Sequence, residues 1–484
     1  MAYPFEQIPS GVGPIIHMLI GADWQIGALE GQDVLDKYSL KPFANLPSSS
    51  PAQITKMIGL ANSTFEADIL TPFERGEILD RVADKIECEV DAFLDVMQRE
   101  TGYTTDDCRG EIARTVQTYR LSAEEARRLS GDMIPIAGAA GQGTRTAFTV
   151  RVPLGVVLAV TPFNAPMNTV AHKLGPALAA GNTVVLKPAS QTPRSACMVA
   201  QAFLDAGLPA GYLQVFHGGA AAVTHALNDA RIRYIAFTGS TGVGAKIQAQ
   251  AGLRRTQMEL GSIAFTILNN DADLDRALPK LIGASFRKAG QVCTSVQILL
   301  VHDSLAAEVS HRLSTLVAAL PFGDPRAKGC VTGPLISEGD ALRIEAWIQD
   351  AVKKGATVLA GGTRQDAVIA PTLLSGVMPS MEVGCKEIFG PVLCIEAFTD
   401  LDEAITRVNS TPYGLATGMY TNRIDHAFAA AKKLRVGGVH INETSSSRVD
   451  MMPYGGSKDS GFGREGPAYA IHEMTEERVI SFSP

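Results

Sequence analysis

Short apolar runs alternate with longer stretches of helical period through the middle of the chain. Residues 155–160, 183–186, 213–216 and Ile232–Thr238 have the length and composition of strands, whereas 167–180 and 195–206 carry the spacing of helices. Gly181-Asn182 closes the first of these helices and Gly207-Leu208-Pro209 the second, both ordinary stop signals. The alternation predicts an α/β fold: a Rossmann-like parallel sheet that binds a nucleotide at the carboxyl ends of its strands. A second α/β segment begins near Gly261 and has its own strand-like runs at 297–301 and Val392–Phe398. Residues 131–151 break the pattern, being rich in Gly and Thr and alternating near 144–152. They predict an extended hairpin projecting from the body.

Composition narrows the picture. A chain of 484 residues is too long for one ordinary core and predicts two or three domains. With 46% hydrophobic and 19% charged residues it is a folded chain, and a net charge of -7 leaves no electrostatic footprint for nucleic acid. Seven scattered cysteines predict reduced thiols in a cytoplasmic compartment. Residues 1–10 lack the basic and apolar segments of a secretory signal, and runs such as Val156-Val157-Leu158-Ala159-Val160 are too short to span a bilayer. His217, His225, His302, His311, His426, His440 and His472 show no metal-ligand spacing, so no metal is expected. Asp106-Asp107 reads as a solvated polar loop.

Two residues bring candidate chemistry. Cys293 lies in the glycine-flanked stretch Gly290-Gln291-Val292-Cys293-Thr294, and a lone acid, Glu259, lies in Met258-Glu259-Leu260-Gly261. A nucleophilic thiolate and a base that activates water are what covalent oxidation of an aldehyde requires. A cysteine is also commonly an inert buried residue, so the pair is not decisive alone. The glycine stretch Phe237-Thr238-Gly239-Ser240-Thr241-Gly242-Val243-Gly244 follows a predicted strand and leads into a helix-compatible run at 245–249. It suits a phosphate cradle, although an ordinary glycine turn has the same look. Lys187-Pro188-Ala189-Ser190, at the end of an earlier strand, offers an amine and a hydroxyl to a ribose or its phosphate; a solvated surface lysine is the plain alternative.

Taken together these stretches resemble the aldehyde dehydrogenase superfamily over nearly the whole chain. The matching segments run in order: Thr161-Pro162-Phe163-Asn164, Lys187-Pro188-Ala189-Ser190, the Phe237 to Gly244 loop, Glu259-Leu260-Gly261, Gly290-Gln291-Val292-Cys293, Glu387-Ile388-Phe389-Gly390-Pro391 and Pro453-Tyr454-Gly455-Gly456-Ser457-Lys458. The nearest subset resembles lactaldehyde, non-phosphorylating glyceraldehyde-3-phosphate and phosphonoacetaldehyde dehydrogenases. The resemblance implies that Cys293 is the nucleophile, Glu259 the general base and Asn164 an oxyanion donor, a kind of group whose loss costs ~10²–10³ in rate. It also implies cofactor contacts from Lys187, Ser190, Phe237, Gly239, Ser240, Gly244, Leu260, Glu387 and Phe389. The cofactor is NAD or NADP. Ser190 stands where NAD-preferring members often carry a glutamate that repels a 2′-phosphate, which leans the expectation towards NADP or dual use. One departure is Ser262, in place of a second glycine after Gly261; it raises the question of crowding near Glu259.

Arg114 and Arg448 fall where the small-aldehyde subset places arginines. They are candidate anchors for a small hydroxylated or anionic aldehyde, with His172, Val292 and Thr294 as further pocket residues. The plain alternatives are that Arg114 pairs with Glu111 or Asp107 on its own helix and that Arg448 holds a loop through Asp450. Val292 stands where glyceraldehyde-phosphate enzymes have another arginine, which favours a smaller or less charged substrate. Rival functions are an aromatic or apolar aldehyde dehydrogenase, an acylating dehydrogenase, a thiol esterase and a non-enzymatic protein that keeps the fold. The expected division is a cofactor-binding domain (1–130 and 151–260), a catalytic domain (261–475) and an oligomerisation element (131–150 and 476–484). The resemblance implies that a terminal strand at 478–483 joins a neighbour's sheet, giving a homodimer or homotetramer.

Overall fold

A computed structural model describes residues 14–67 and 70–483; the expectation for residues 1–10 lies outside them. The apolar runs of the first half become an eight-stranded sheet. Its parallel core runs in the spatial order Leu213–Val215, Thr183–Lys187, Val156–Val160, Ile232–Thr238, Arg255–Glu259. The chain starts at the middle strand, winds outward to one side, then returns and winds to the other. That reversal places a crevice at the strand carboxyl ends. The strands of this core are almost wholly buried, as expected where helices cover both faces. The observed helices Asn168–Ala179 and Pro193–Asp205 lie within two residues of their predicted ends. The glycine stretch opens the helix Thr241–Ala251.

The second unit is a seven-stranded sheet in the order Thr357–Ala360, Thr372–Ser375, Val392–Phe398, Val296–His302, Ala264–Leu268, Ala416–Tyr420, Gly438–Ile441. All its pairings are parallel except the first. Residues 461–473, expected with this unit, return to the first. Gly461–Phe462 pairs antiparallel with Arg255–Glu259, and the helix Pro467–Glu473 packs on the helices of the first unit.

Asp106 and Asp107 are not in a loop. They occupy the first turn of the long helix Thr105–Arg128, capped by the Thr104 hydroxyl, which accepts from the Asp107 N–H at 3.2 Å. Acids at its start and Arg127 and Arg128 at its end both suit the helix dipole.

The hairpin exists as Met133–Ile134 against Thr146–Pro153. The terminal strand, Thr475–Phe482, pairs along its full length with Thr146–Pro153 of its own chain. Intrachain partners satisfy one of its edges. Its other edge has no strand beside it among the described residues, and Val479 and Phe482 are exposed.

One glycine controls how the second unit closes on the site. Gly290 has φ +69°, and a Cβ there would lie 2.1 Å from the carbonyl oxygen of Gly390. Gly290→Ala is expected to cost on the order of 1–3 kcal/mol from backbone strain alone, with the clash added. This is read as an earlier chemical-denaturation midpoint. An unchanged midpoint contradicts this packing.

Candidate active site

Loops at the carboxyl ends of the first sheet's strands carry most of the expected residues. Val156–Val160 runs into Thr161-Pro162-Phe163-Asn164, Thr183–Lys187 ends on Lys187, Ile232–Thr238 opens into Gly239-Ser240, and Arg255–Glu259 ends on Glu259. The second unit contributes Cys293, between the turn Arg287–Gly290 and the strand Val296–His302, and Glu387 with Phe389 ahead of Val392–Phe398. All of these line one cavity of about 1170 Å³, as do Ser190, Phe237, Leu260, Arg114, His172, Val292, Thr294 and Arg448. Gly244 is the exception and a correction. It does not line the cavity but packs on Leu260, where a Cβ would meet Cδ2 at 2.3 Å.

The cofactor side of the cavity fits a dinucleotide. Lys187 is not a solvated surface cation: burial pushes its amine down to about 8, and it has no ion-pair partner among the described residues. Ser240 is the N-cap of Thr241–Ala251, a helix start suited to phosphate. Glu387 is pushed up to about 7 by burial, against the pull of the Ser262 N–H, which donates to its Oε1 at 2.9 Å. That contact is made by the Ser262 backbone, which a glycine would offer equally, and the buried Ser262 hydroxyl has no hydrogen-bond partner among the described residues. Phe389, held at φ +55°, meets Phe163 edge to face at 5.8 Å and joins the two units across the cavity. No carboxylate occupies the position of Ser190.

At the chemical end, the Cys293 sulfur lies 2.8 Å from the Tyr454 hydroxyl. Burial pushes the thiol up to about 11, with the Tyr454 bond working against it. The Asn164 side-chain amide donates to the carbonyl of Gln291 at 2.9 Å, tying it to the cysteine loop. Glu259 is buried, and neither of its carboxylate oxygens has a protein donor. Burial, then the charge of Glu465, pushes its carboxyl well above the ordinary range, while Lys173, Arg448 and Arg464 oppose the shift. Glu465 is itself held down despite its burial by Lys173 and Arg448, whose side chains donate to it at 3.2 and 2.9 Å. A carboxyl shifted up beside one shifted down is the pattern of acid–base pairs in enzymes.

Several site residues escaped the sequence reading. Lys288 pairs with Glu111 and also donates to the backbone carbonyl of Asn164 at 3.2 Å. Tyr103 donates to the same carbonyl at 3.1 Å, and Glu111 accepts the N–H groups of Met167 and Asn168. Asn164 is thus fixed from three sides. Arg287, beside Lys288, donates to the Ser446 hydroxyl at 2.8 Å and lines the cavity. Burial lowers its basicity, with the charge of Asp107 opposing this only through space, and it has no ion pair among the described residues. The signal available in the sequence was the charged pair Arg287-Lys288 interrupting an apolar helix end.

The two expected arginine anchors are already partnered. Arg114 pairs bidentately with Asp450 at 2.7 and 3.0 Å, not with Glu111 or Asp107. Arg448 donates to Glu465, not to Asp450, and stacks 3.8 Å above the Tyr454 ring. His172 reaches the pocket and also packs: its Nε2 is 2.8 Å from Asp450 and 3.0 Å from Arg448. No group of three or more metal-ligating side chains occurs among the described residues, and none of their helices is long and apolar enough to cross a membrane.

Comparison with known proteins agrees with this geometry. The profile of the aldehyde dehydrogenase family matches residues 24–480. The chain is 42% identical over 464 residues to a 3-sulfolactaldehyde dehydrogenase of Priestia aryabhattai, covering 96% of this chain and 97% of that one. It is 33% identical over 470 residues to a lactaldehyde dehydrogenase of Methanococcus maripaludis (strain C7), covering 96% and 99%. The crystal structure of the NADP-dependent glyceraldehyde-3-phosphate dehydrogenase of Bacillus halodurans C-125, complexed with NADP, superposes with a TM-score of 0.94 at 34% identity, covering 98% and 99%. The chain belongs to the aldehyde dehydrogenase family. It is an NAD(P)-dependent oxidoreductase that converts an aldehyde to a carboxylic acid.

The burial of Glu259 has a consequence for stability. A raised folded-state pKa means that the native chain keeps a proton which the unfolded chain, with its carboxyl near 4.5, has lost. Stability from this group is therefore full below that range and falls as pH rises through the window above it. Glu259→Gln, which cannot ionise, is expected to lose less stability than the parent between about pH 6 and about pH 9. Parallel denaturation curves at the two pH values check this; equal losses contradict it.

Proposed function

We propose that the substrate is a small aldehyde bearing an anionic group, often with a hydroxyl, and that Cys293, Glu259 and Asn164 carry out its oxidation. The observation that carries the substrate class is Arg287. It is a largely buried guanidinium on the cavity wall, bonded to the Ser446 hydroxyl and without a carboxylate partner among the described residues. A buried cation left unpaired is costly, and an anionic substrate offsets that cost. Thr294, whose hydroxyl lies 3.2 Å from that of Ser446, adds a polar contact one residue from the nucleophile. Arg114, His172 and Arg448 shape the same wall, with the charges of the two arginines already engaged. The sulfolactaldehyde relative supports the anionic group and the lactaldehyde relative the hydroxyl.

In this reading the Cys293 thiolate adds to the carbonyl, and the charge that develops on oxygen is met by the Asn164 amide and the Cys293 N–H. The bound nicotinamide supplies the hydride acceptor. Glu259, in a dry pocket with free oxygens, takes a proton from the water that releases the acid from the thioester. Lys187, Ser190, Ser240, Glu387 and Phe389 orient the cofactor, with Phe237, Gly239 and Leu260 alongside. The neutral Ser190 and the cationic Lys187 favour NADP or dual use, in line with the NADP complex of the glyceraldehyde-3-phosphate relative.

We also propose that the division expected from the sequence describes the working units, except that residues 461–473 belong with the cofactor-binding unit. The hairpin and the terminal strand then form a homo-oligomer contact through the free edge of Thr475–Phe482. Edge addition to a second copy would also cover Val479 and Phe482. The free cysteines suit a reducing, cytoplasmic setting.

The test is appearance of reduced nicotinamide with NAD and with NADP, across sulfolactaldehyde, lactaldehyde, glyceraldehyde 3-phosphate, succinate semialdehyde and benzaldehyde. Arg287→Met is expected to lower kcat/KM for the anionic members by ~10–100-fold, the value of a hydrogen bond to a charged group, and for benzaldehyde far less. Preference for benzaldehyde, or equal losses across the panel, overturns the anionic assignment.

A further inference from the structure

The segment Pro453-Tyr454-Gly455-Gly456 belongs to the family pattern, yet the reaction as drawn so far gives Tyr454 nothing to do. Its side chain nevertheless touches the reacting atom. We propose that Tyr454 is a catalytic residue whose hydroxyl donates a hydrogen bond to the Cys293 sulfur, favouring the thiolate and fixing the direction from which it attacks. This rests on the reading of Cys293 as the nucleophile.

Three features of the site support the assignment. The Tyr454 hydroxyl is 2.8 Å from the sulfur. The ring that carries it is fixed on both sides. Its backbone pairs with that of Glu465, N–H to carbonyl in both directions at 3.1 and 2.7 Å. The Glu465 carboxylate in turn holds Arg448, whose guanidinium lies 3.8 Å over the Tyr454 ring. A cation on the face of a phenol draws electron density from the ring and strengthens the O–H as a donor. The third feature is chemical. Burial, reinforced by the neighbouring sulfur, pushes the Tyr454 phenol well above its ordinary value, so it stays protonated and can only donate to a thiolate. Burial drives the Cys293 thiol up to about 11, and among the forces on it this hydrogen bond heads those in the opposite direction. Hydrogen bonding to the charged form lowers a pKa.

Arg448 thereby gains a part that its expected role did not include. Because its charge is shared between Glu465 and the Tyr454 ring, it acts on the nucleophile through the tyrosine. Glu465 is common to both reactive groups: its charge bears directly on Glu259 and, through Arg448, on the ring beside Cys293. The acidity of the thiol and the basicity of the carboxylate are therefore set by one connected group of charges.

The test follows alkylation of Cys293 by iodoacetamide as a function of pH, resolved by peptide mass because Cys88 and Cys385 are exposed and also react. The full-length parent, Tyr454→Phe and a variant with a ring-fluorinated tyrosine at 454 are compared. Tyr454→Phe is expected to slow alkylation about tenfold or more below the thiol pKa, the factor that corresponds to a change of one in pKa. The fluorinated phenol, a stronger donor of the same shape, is expected to move the profile in the opposite direction. Superimposable profiles for all three proteins overturn the proposal. If Tyr454→Phe does not fold, the fluorinated variant decides alone, because its packing is unchanged. The readout needs no turnover, so failure here is distinct from failure of the nucleophile assignment, which active Cys293→Ala would reveal.

Discussion

A carboxylate carried into a dry pocket ordinarily takes up a proton, and much of the site is arranged around that tendency in Glu259. The strand Arg255–Glu259 delivers the group to the crevice without a hydrogen-bond donor for either oxygen. Ionisation is kept within reach by charges at one remove: Lys173, Arg448 and Arg464 draw the carboxyl down while burial and Glu465 push it up. Space is kept as well, since a Cβ on Gly455 would lie 2.9 Å from Glu259 Oε1. A carboxyl that is unbonded, roomy and poised high suits the proposed base, which must turn towards a water late in the reaction.

The Cys293 side is built in the opposite way, by over-determination. Lys288 and Ala289 both sit at φ +52°, a conformation that costs energy in residues with side chains, directly before the glycine that presses on Gly390. The loop tolerates this because Lys288 is locked to Glu111 and to the Asn164 carbonyl. Glu111 also accepts from the start of the helix Asn168–Ala179, so the cysteine loop, Asn164 and that helix are braced by one ion pair. The two units of the fold thus meet through rigid contacts at Cys293 and loose ones at Glu259.

Much of this was legible in sequence, for definable reasons. The buried parallel strands read clearly because helices cover both faces and leave uninterrupted apolar runs; Ile232–Thr238 and Val392–Phe398 match the prediction residue for residue. Glycine-bounded motifs located the cavity wall, apart from Gly244, whose spacing cannot tell a phosphate contact from close packing against Leu260. What could not be read was pairing between distant positions. Arg114 has acids one and two turns away on its own helix yet bonds Asp450, 336 residues further on. Arg448 has Asp450 two residues away yet bonds Glu465. The return of Gly461–Phe462 to the first sheet was equally hidden, because a strand of two residues has no periodicity.

The central claim is that Cys293 becomes covalently acylated and that Glu259 governs release. Mass measurement of intact Glu259→Gln protein, quenched after mixing with NADP and a turned-over aldehyde, tests it most directly. The account predicts that the protein gains the mass of the acyl group, mapped to Cys293, in a population that persists far longer than in the parent enzyme. An unmodified mass under conditions where reduced nicotinamide has formed, or an adduct on another residue, would contradict it.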